Sequence, residues 1–251
     1  MKASKLAVLA AAASALGGLV TAAAVGSPER PGPVRPETAH VGPAPFSPAQ
    51  FAHPQQNPYF PLVPGTVYRY RGSEDRERFR ERVAVTHRTK VVLGVTTTVV
   101  RDVLRRTDGT LAERTADWYA ADDNGNVWYF GERTATYDEH GALESREGSW
   151  ESGVDGAVPG TIMPADPHPT DAYRQEFYAG HAEDQAWIVQ SHARVSVPAG
   201  RFRDVVRSFE WTRLEPRVIS VKLYAPGVGI VRERDMSGGT ESFFLVSVTR
   251  P

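Results

Sequence analysis

The sequence predicts an all-β protein: a single curved antiparallel sheet or incomplete barrel, with a long irregular loop covering one side. Three observations carry this. β-Branched and aromatic runs alternate with Gly, Asp and Asn turns from Thr66 to the end of the chain. No segment sustains a helical period over a dozen residues. The links between neighbouring runs are short, and short links force antiparallel neighbours.

At the N-terminus, Lys2 and Lys5 precede an apolar, Ala-rich stretch from Leu6 through Val25 that ends in small residues. This is the pattern of a signal peptide over 1–26, cut after Ala24 or after Gly26, and it places the mature chain outside the cytoplasm. The stretch is almost long enough to span a bilayer, but its alanine and glycine content makes it a poor membrane helix. No membrane span is therefore expected after signal removal. The chain has no cysteine, so neither a lipid-modified cysteine nor a disulfide is available. Without the two signal lysines, 27 basic residues face 30 acidic ones. That balance steers the chain to neither nucleic acid nor anionic lipid.

Eleven of the nineteen prolines lie between Ser27 and Pro64, and 27–58 reads as a Pro-rich disordered tether. Within it, Ser47-Pro48-Ala49-Gln50 suits one helical turn, with serine as cap and proline at the first helical position. The β-rich domain then occupies 59–251. A domain of about 190 residues buries around 70% of its unfolded surface, enough for a core to hold it without disulfides. Strands are expected at 66–72, 77–87, 89–106, 111–121, 126–137, 142–150, 173–178, 182–197, 200–213, 217–225, 228–235 and 240–249. Gly153 to Ala172, with four prolines and three glycines, reads as the irregular loop. Its place is over the concave side of the sheet.

Two hairpins carry the candidate chemistry. Asn124-Gly125 accepts the positive φ of a two-residue type I′ turn. That turn sets Ala121 opposite Trp128, Tyr119 opposite Phe130 and Asp117 opposite Glu132. One face then holds Tyr119, Trp128 and Phe130, with the carboxylates of Asp117 and Glu132 at its far end. Like charges directly opposite destabilise a strand pair, so a shared proton, a metal ion or an arginine such as Arg114 or Arg133 is expected there. In the second hairpin the period of two puts Arg174, Glu176 and Tyr178 on one face with His181, Glu183, Gln185 and Trp187. Such a patch can bind an ion, a polar ligand or a proton in transit; it can equally be a solvated face with Arg174 neutralising Glu176.

Other chemistries find less support. Asp122, Asn124 and Asn126 match the opening of an EF-hand loop, but Val127 and Arg133 stand where its glycine and bidentate glutamate belong. The turn explains them better. No histidine pair has helical metal-ligand spacing and thiolates are absent, so no metal ligands are assigned, and no cofactor is identified. There is no Gly-x-Ser-x-Gly elbow. All five tryptophans lie between 118 and 211; four of them accompany the hairpins and the loop, where they suit a cavity mouth or a core.

The blocks Val195-Ser196-Val197-Pro198-Ala199-Gly200-Arg201-Phe202 and Tyr224-Ala225-Pro226-Gly227-Val228-Gly229-Ile230-Val231 resemble secreted and periplasmic bacterial proteins on a curved antiparallel sheet, similar to half-barrels of lipoprotein-carrier type. The middle block is more specific: Asp117-Trp118-Tyr119-Ala120, Gly125 to Glu132, Gly148-Ser149-Trp150-Glu151 and Gly153-Val154-Asp155-Gly156. It resembles an uncharacterised family of exported bacterial proteins over nearly all of the mature domain. The resemblance implies no activity.

Two expectations of function follow. As a binding module, the protein holds a small or amphipathic ligand in the cavity of the sheet, aromatic side chains giving affinity and carboxylates orientation. As a secreted hydrolase or other enzyme, it uses Asp117 with Glu132, or Glu176 with Glu183, for acid/base work or with a bound metal ion. Missing nucleophile and metal motifs favour binding. Oligomeric state is not legible in the sequence.

Overall fold

The computed structural model describes residues 46–251; residues 1–26, read as a signal peptide, and residues 27–45, read as part of a tether, lie outside the described residues. The first element is a 3-10 turn, Pro48–Phe51. Ser47 opens it, its amide donating to Gln50 Oε1 at 2.8 Å. Strands follow in chain order: β1 Val67–Glu74, β2 Glu77–Val92, β3 Val95–Arg106, β4 Leu111–Ala121, β5 Val127–Tyr137, β6 Leu143–Ser145, β7 Trp150–Glu151, β8 Val158–Met163, β9 Ala172–Arg174, β10 Glu176–Phe177, β11 Asp184–Val197, β12 Gly200–Thr212, β13 Ile219–Ala225, β14 Gly229–Ser237 and β15 Ser242–Thr249.

Two antiparallel meanders, β1 to β5 and β11 to β15, are joined where β1 pairs with β15. The order β10-β8-β5-β4-β3-β2-β1-β15-β14-β13-β12-β11-β9 makes one nearly closed, barrel-like sheet. Its seam lies between the β8–β10 edge and the β11–β9 edge. Strand alternation puts one large apolar core inside, with Tyr119, Tyr129, Ile188, Tyr224 and Leu245 among its residues, and a smaller cluster around Trp118, Trp128 and Phe130 outside.

The stretch from Gly153 to Ala172, expected to be irregular throughout, contains β8, which pairs with β5 from Val127 to Tyr129. Pro159 and Gly160 hide it, because neither belongs to the usual strand vocabulary. Gly160 has a steric reason: a Cβ there would stand 2.4 Å from the carbonyl carbon of Gln175. The absent side chain lets the two edges meet across the seam.

Residues 46–58, read from composition as part of the tether, lie against the sheet. Asn57 is buried and fastens three segments: its Nδ2 donates to the carbonyls of Gly125 and Pro164, both at 2.8 Å, while its Oδ1 accepts from the Tyr59 amide at 2.8 Å and the Phe60 amide at 3.0 Å. This directs Phe60 into the interior, where its ring meets Tyr119 with centroids 5.0 Å apart. Phe46 and Phe51 stay outside and pack edge-on against Trp128 at 6.1 and 6.0 Å.

Candidate functional site

The β4–β5 turn is one residue longer than Asn124-Gly125 suggests. The Asp122 amide donates to the carbonyl of Asn126 at 2.9 Å, and Gly125 returns its amide to Asp122 at 3.0 Å. Asp122 is the organiser. Its Oδ1 accepts from the amides of Asn124 and Asn126, and its Oδ2 from Asn126 Nδ2 at 2.8 Å and Trp128 Nε1 at 3.0 Å. The register therefore shifts: Ala121 faces Val127, Ala120 faces Trp128, and Tyr119 faces Tyr129 rather than Phe130. Tyr119 and Tyr129 stack inside at 4.6 Å, whereas Trp128 and Phe130 point outward. The expected grouping of Tyr119 with Trp128 and Phe130 on one face is thus corrected.

A bulge at Gly131 restores the far end, where Asp117 faces Glu132 as the sequence predicts. Gly131 has φ +130°, and a Cβ on it would lie 2.4 Å from the Trp150 carbonyl oxygen. Asp117 and Glu132 point inward and are 0% and 1% exposed. Tyr129 donates its hydroxyl to Asp117 Oδ1 at 2.9 Å. Neither Arg114 nor Arg133 reaches this pair, because strand alternation sends both outward, where they are exposed.

The second hairpin divides between two environments. Glu176 on β10 is buried beside the first pair, and its charge acts on Glu132, Tyr119 and Tyr129. Glu183 is also buried but turns the other way, accepting from the Gly180 amide and from Arg213 Nε, both at 2.9 Å. Burial opposes its ionisation, yet these donors outweigh burial and hold its pKa below the usual value. His181 stacks on Tyr178 at 4.4 Å and lies 3.6 Å from Glu147, and Arg174 covers the Phe177 ring at 4.4 Å. Trp187 is exposed on the outer surface. Asp117, Tyr119, Glu132 and Glu176 thus converge inside, while Trp128 and Phe130 are outside. Arg174, Tyr178, His181 and Glu183 line the hairpin itself.

The inner group belongs to a wider polar belt that sequence reasoning missed. Glu81, Asp102, Glu113, Glu210, Lys222 and Glu233 are all buried on the inner face. Lys222 Nζ is 2.9 Å from Glu210 Oε2 and 3.5 Å from Glu233 Oε1. Burial opposes the charge on both Lys222 and Glu210, but their mutual attraction prevails: the lysine pKa is raised and that of Glu210 is lowered. Elsewhere burial wins. It pushes Asp117 up to about 8, with Asp102 adding to the effect. It likewise lifts Glu132 well above the carboxylate range, with help from Asp117 and Glu176. Glu233 rises to about 8, burial outweighing the attraction of Lys222. Glu81 is raised by burial and by the neighbouring Asp102, and Asp102 is raised to about 6 by burial. The direction of the shift favours a Glu81 carboxyl that keeps its proton. Glu113 is raised by burial too, although the Thr115 hydroxyl donates to it at 3.0 Å.

Below the belt the interior is apolar. A cleft of about 30 Å³, or about 360 Å³ with the open space at its mouth, lies between the Phe60-Pro61-Leu62 segment and Tyr68, Tyr70, Val83, Val85, Val100 and Ile230. Tyr70 separates it from the belt: its hydroxyl donates to the Ile230 carbonyl at 2.9 Å, and its pKa is raised by burial and by the neighbouring Glu81. The signal for the belt was present as carboxylates at inward strand positions, as in Arg80-Glu81-Arg82. Such runs read as solvated until the sheet closes over them. Among the described residues no group of three His, Cys, Asp or Glu side chains is placed to hold a metal ion, and no helix is long and apolar enough to cross a membrane.

No family model matches the chain, and no curated protein matches it in sequence. Among solved structures, the chain is similar to one from Bacteroides fragilis described as a "putative exported protein with YmcC-like fold". The identity is 15%, the match covers 76% of this chain and 99% of that one, and the TM-score is 0.46. It is also similar to a "putative lipoprotein" from Parabacteroides distasonis at 12% identity, covering 78% of this chain and 100% of that one, with a TM-score of 0.46.

Proposed function

We propose that this is an extracytoplasmic binding protein that holds a small amphipathic molecule inside its sheet. The apolar part occupies the pocket over Val83, Val85 and Val100, and the polar part meets Tyr70 and the carboxyl belt. The carrying observation is the pocket itself, an apolar cleft of about 30 Å³ that opens to solvent beside Phe60 to Leu62 and is adjoined by buried polar groups, so that an occupant would extend through its mouth. Export rests on the Leu6 to Val25 segment, and the resemblance of the β11–β14 motifs to lipoprotein-carrier half-barrels suits an acyl or similar apolar occupant.

The test is titration of the mature protein with N-phenyl-1-naphthylamine, a neutral apolar fluorophore, and native mass spectrometry of the protein from its own culture medium. Val100→Trp fills the pocket from β3 and should weaken probe binding about tenfold or more, equivalent to about 1.4 kcal/mol or above. Unchanged binding by a folded Val100→Trp protein would sink the reading.

A second reading draws on Asp117 and Glu132, a cross-strand pair of buried carboxyls whose raised pKa values leave a proton available near neutral pH. An acid/base enzyme would lose turnover in Asp117→Asn while keeping probe affinity. Stoichiometric metal in the purified protein would extend that reading to metal-assisted hydrolysis.

A further inference from the structure

The outer face of β14, β15, β1, β2 and β3 carries a row of arginines paired across strands. Arg232 and Arg71 both face Phe244 on β15, Arg71 faces Arg80, and Arg80 faces Arg105. One step along the strands, Arg69 faces Arg82. All six arginines are exposed, and none is in an ion pair among the described residues. Arg105 Nη1 spends a donor on the Gly109 carbonyl at 2.9 Å, and Arg69 Nη1 on Thr249 Oγ1 at 3.3 Å; neither neutralises charge. Like charges directly opposite each other weaken a sheet, and three such pairs adjoin here. An ordinary solvated face would intersperse acids. On β2 the acid between Arg80 and Arg82 is Glu81, which is buried inside, so a chain of formal charge -1 presents a wholly cationic row.

We infer that this face docks a flexible linear polyanion whose phosphate groups repeat along its chain. Adjacent strands are spaced about 4.8 Å apart, so the four steps from Arg232 to Arg105 span roughly 19 Å with a guanidinium at nearly every step. Guanidinium is the side-chain group best matched to phosphate oxygens. A bilayer suits the face less well. The surface is convex, and the large apolar side chains that protrude from the protein, such as Val91, Leu93 and Val154, lie outside the row, whereas a membrane-docking surface sets them among its basic residues. Single-stranded nucleic acid suits it less well too, since its bases call for a series of stacking rings, and Phe244 is the one aromatic residue in the row.

The experiment uses the mature chain, with long-chain inorganic polyphosphate, oligothymidylate, and vesicles of phosphatidylglycerol with phosphatidylcholine as separate probes. Polyphosphate should bind with an affinity that falls steeply with salt. The triple variant Arg71→Ser, Arg80→Ser, Arg105→Ser should weaken binding about tenfold or more and reduce the salt slope by about three. Replacing the same three residues by lysine should retain most of the binding, and Arg201→Ser with Arg203→Ser on β12 should change it little. Because the serine variant relieves repulsion, its thermal midpoint should not fall. Undiminished polyphosphate binding by the folded serine variant overturns the inference, as does tighter binding of oligothymidylate or of vesicles than of polyphosphate. Neither outcome bears on the interior pocket, whose test uses a neutral probe.

Discussion

Lys222 shows how one residue sets the character of the interior. It is 6% exposed, yet it is held charged because Glu210 accepts from it at 2.9 Å and also from the hydroxyls of Ser208 at 2.7 Å and Tyr224 at 2.8 Å. Removing one member of such a pair strands the other charge in a medium that cannot solvate it. Lys222→Met should therefore destabilise the fold by about 3–5 kcal/mol, read from urea unfolding. Lys222→Met combined with Glu210→Gln should recover a large part of that loss, since the stranded charge is then removed as well. Asp122 plays a comparable part outside the core. Its metal-like spacing with Asn124 and Asn126 belongs to a turn, and its oxygens are occupied by amides and by the Trp128 indole.

Among the elements, β4 and β5 matter most, because two local irregularities determine what faces the cavity. The longer turn at Asp122 to Asn126 moves Trp128 and Phe130 outward, and the bulge at Gly131 turns Glu132 inward. Gly131→Ala should destabilise the protein by more than about 1 kcal/mol, since φ is positive and the backbone of Trp150 lies in the way. Urea unfolding measures the loss. Loss of the bulge would also detach β7, whose Trp150 pairs with Glu132. The outer aromatic cluster makes the 46–58 segment part of the folded body: Phe46 and Phe51 cover rings that the β4–β5 register would otherwise leave bare.

For the whole molecule, closure of the sheet encloses a belt of acids with few cations. Asp117 and Glu233, with pKa values near 8, and Asp102, near 6, bind protons more tightly when folded than when unfolded. Their contribution is fully present below the ordinary carboxylate range near 4 and is lost as pH rises through the folded values. Stability should therefore fall between about pH 4 and pH 8, by up to about 1.4 kcal/mol per pH unit for each such group, and Asp117→Asn should flatten the decline. Urea midpoints measured across that range check the sign.

How much of this was legible in the chain depends on the distance over which each feature is decided. Turn residues, period-two runs and short links are local, and they sufficed for an all-β antiparallel sheet; Asp117 faces Glu132 as expected only because the bulge at Gly131 offsets the longer turn. Composition, by contrast, misassigned residues 46–58 and β8. Phe46, Phe51, Pro159 and Gly160 acquire partners only through contacts with β5 and with the seam. The sequence by itself determined the alternation of Arg80, Glu81 and Arg82. Only the tertiary structure decided that the glutamate is inside and the arginines outside, because closing the sheet converts a period of two into two separate surfaces, one desolvated and acidic, the other solvated and basic.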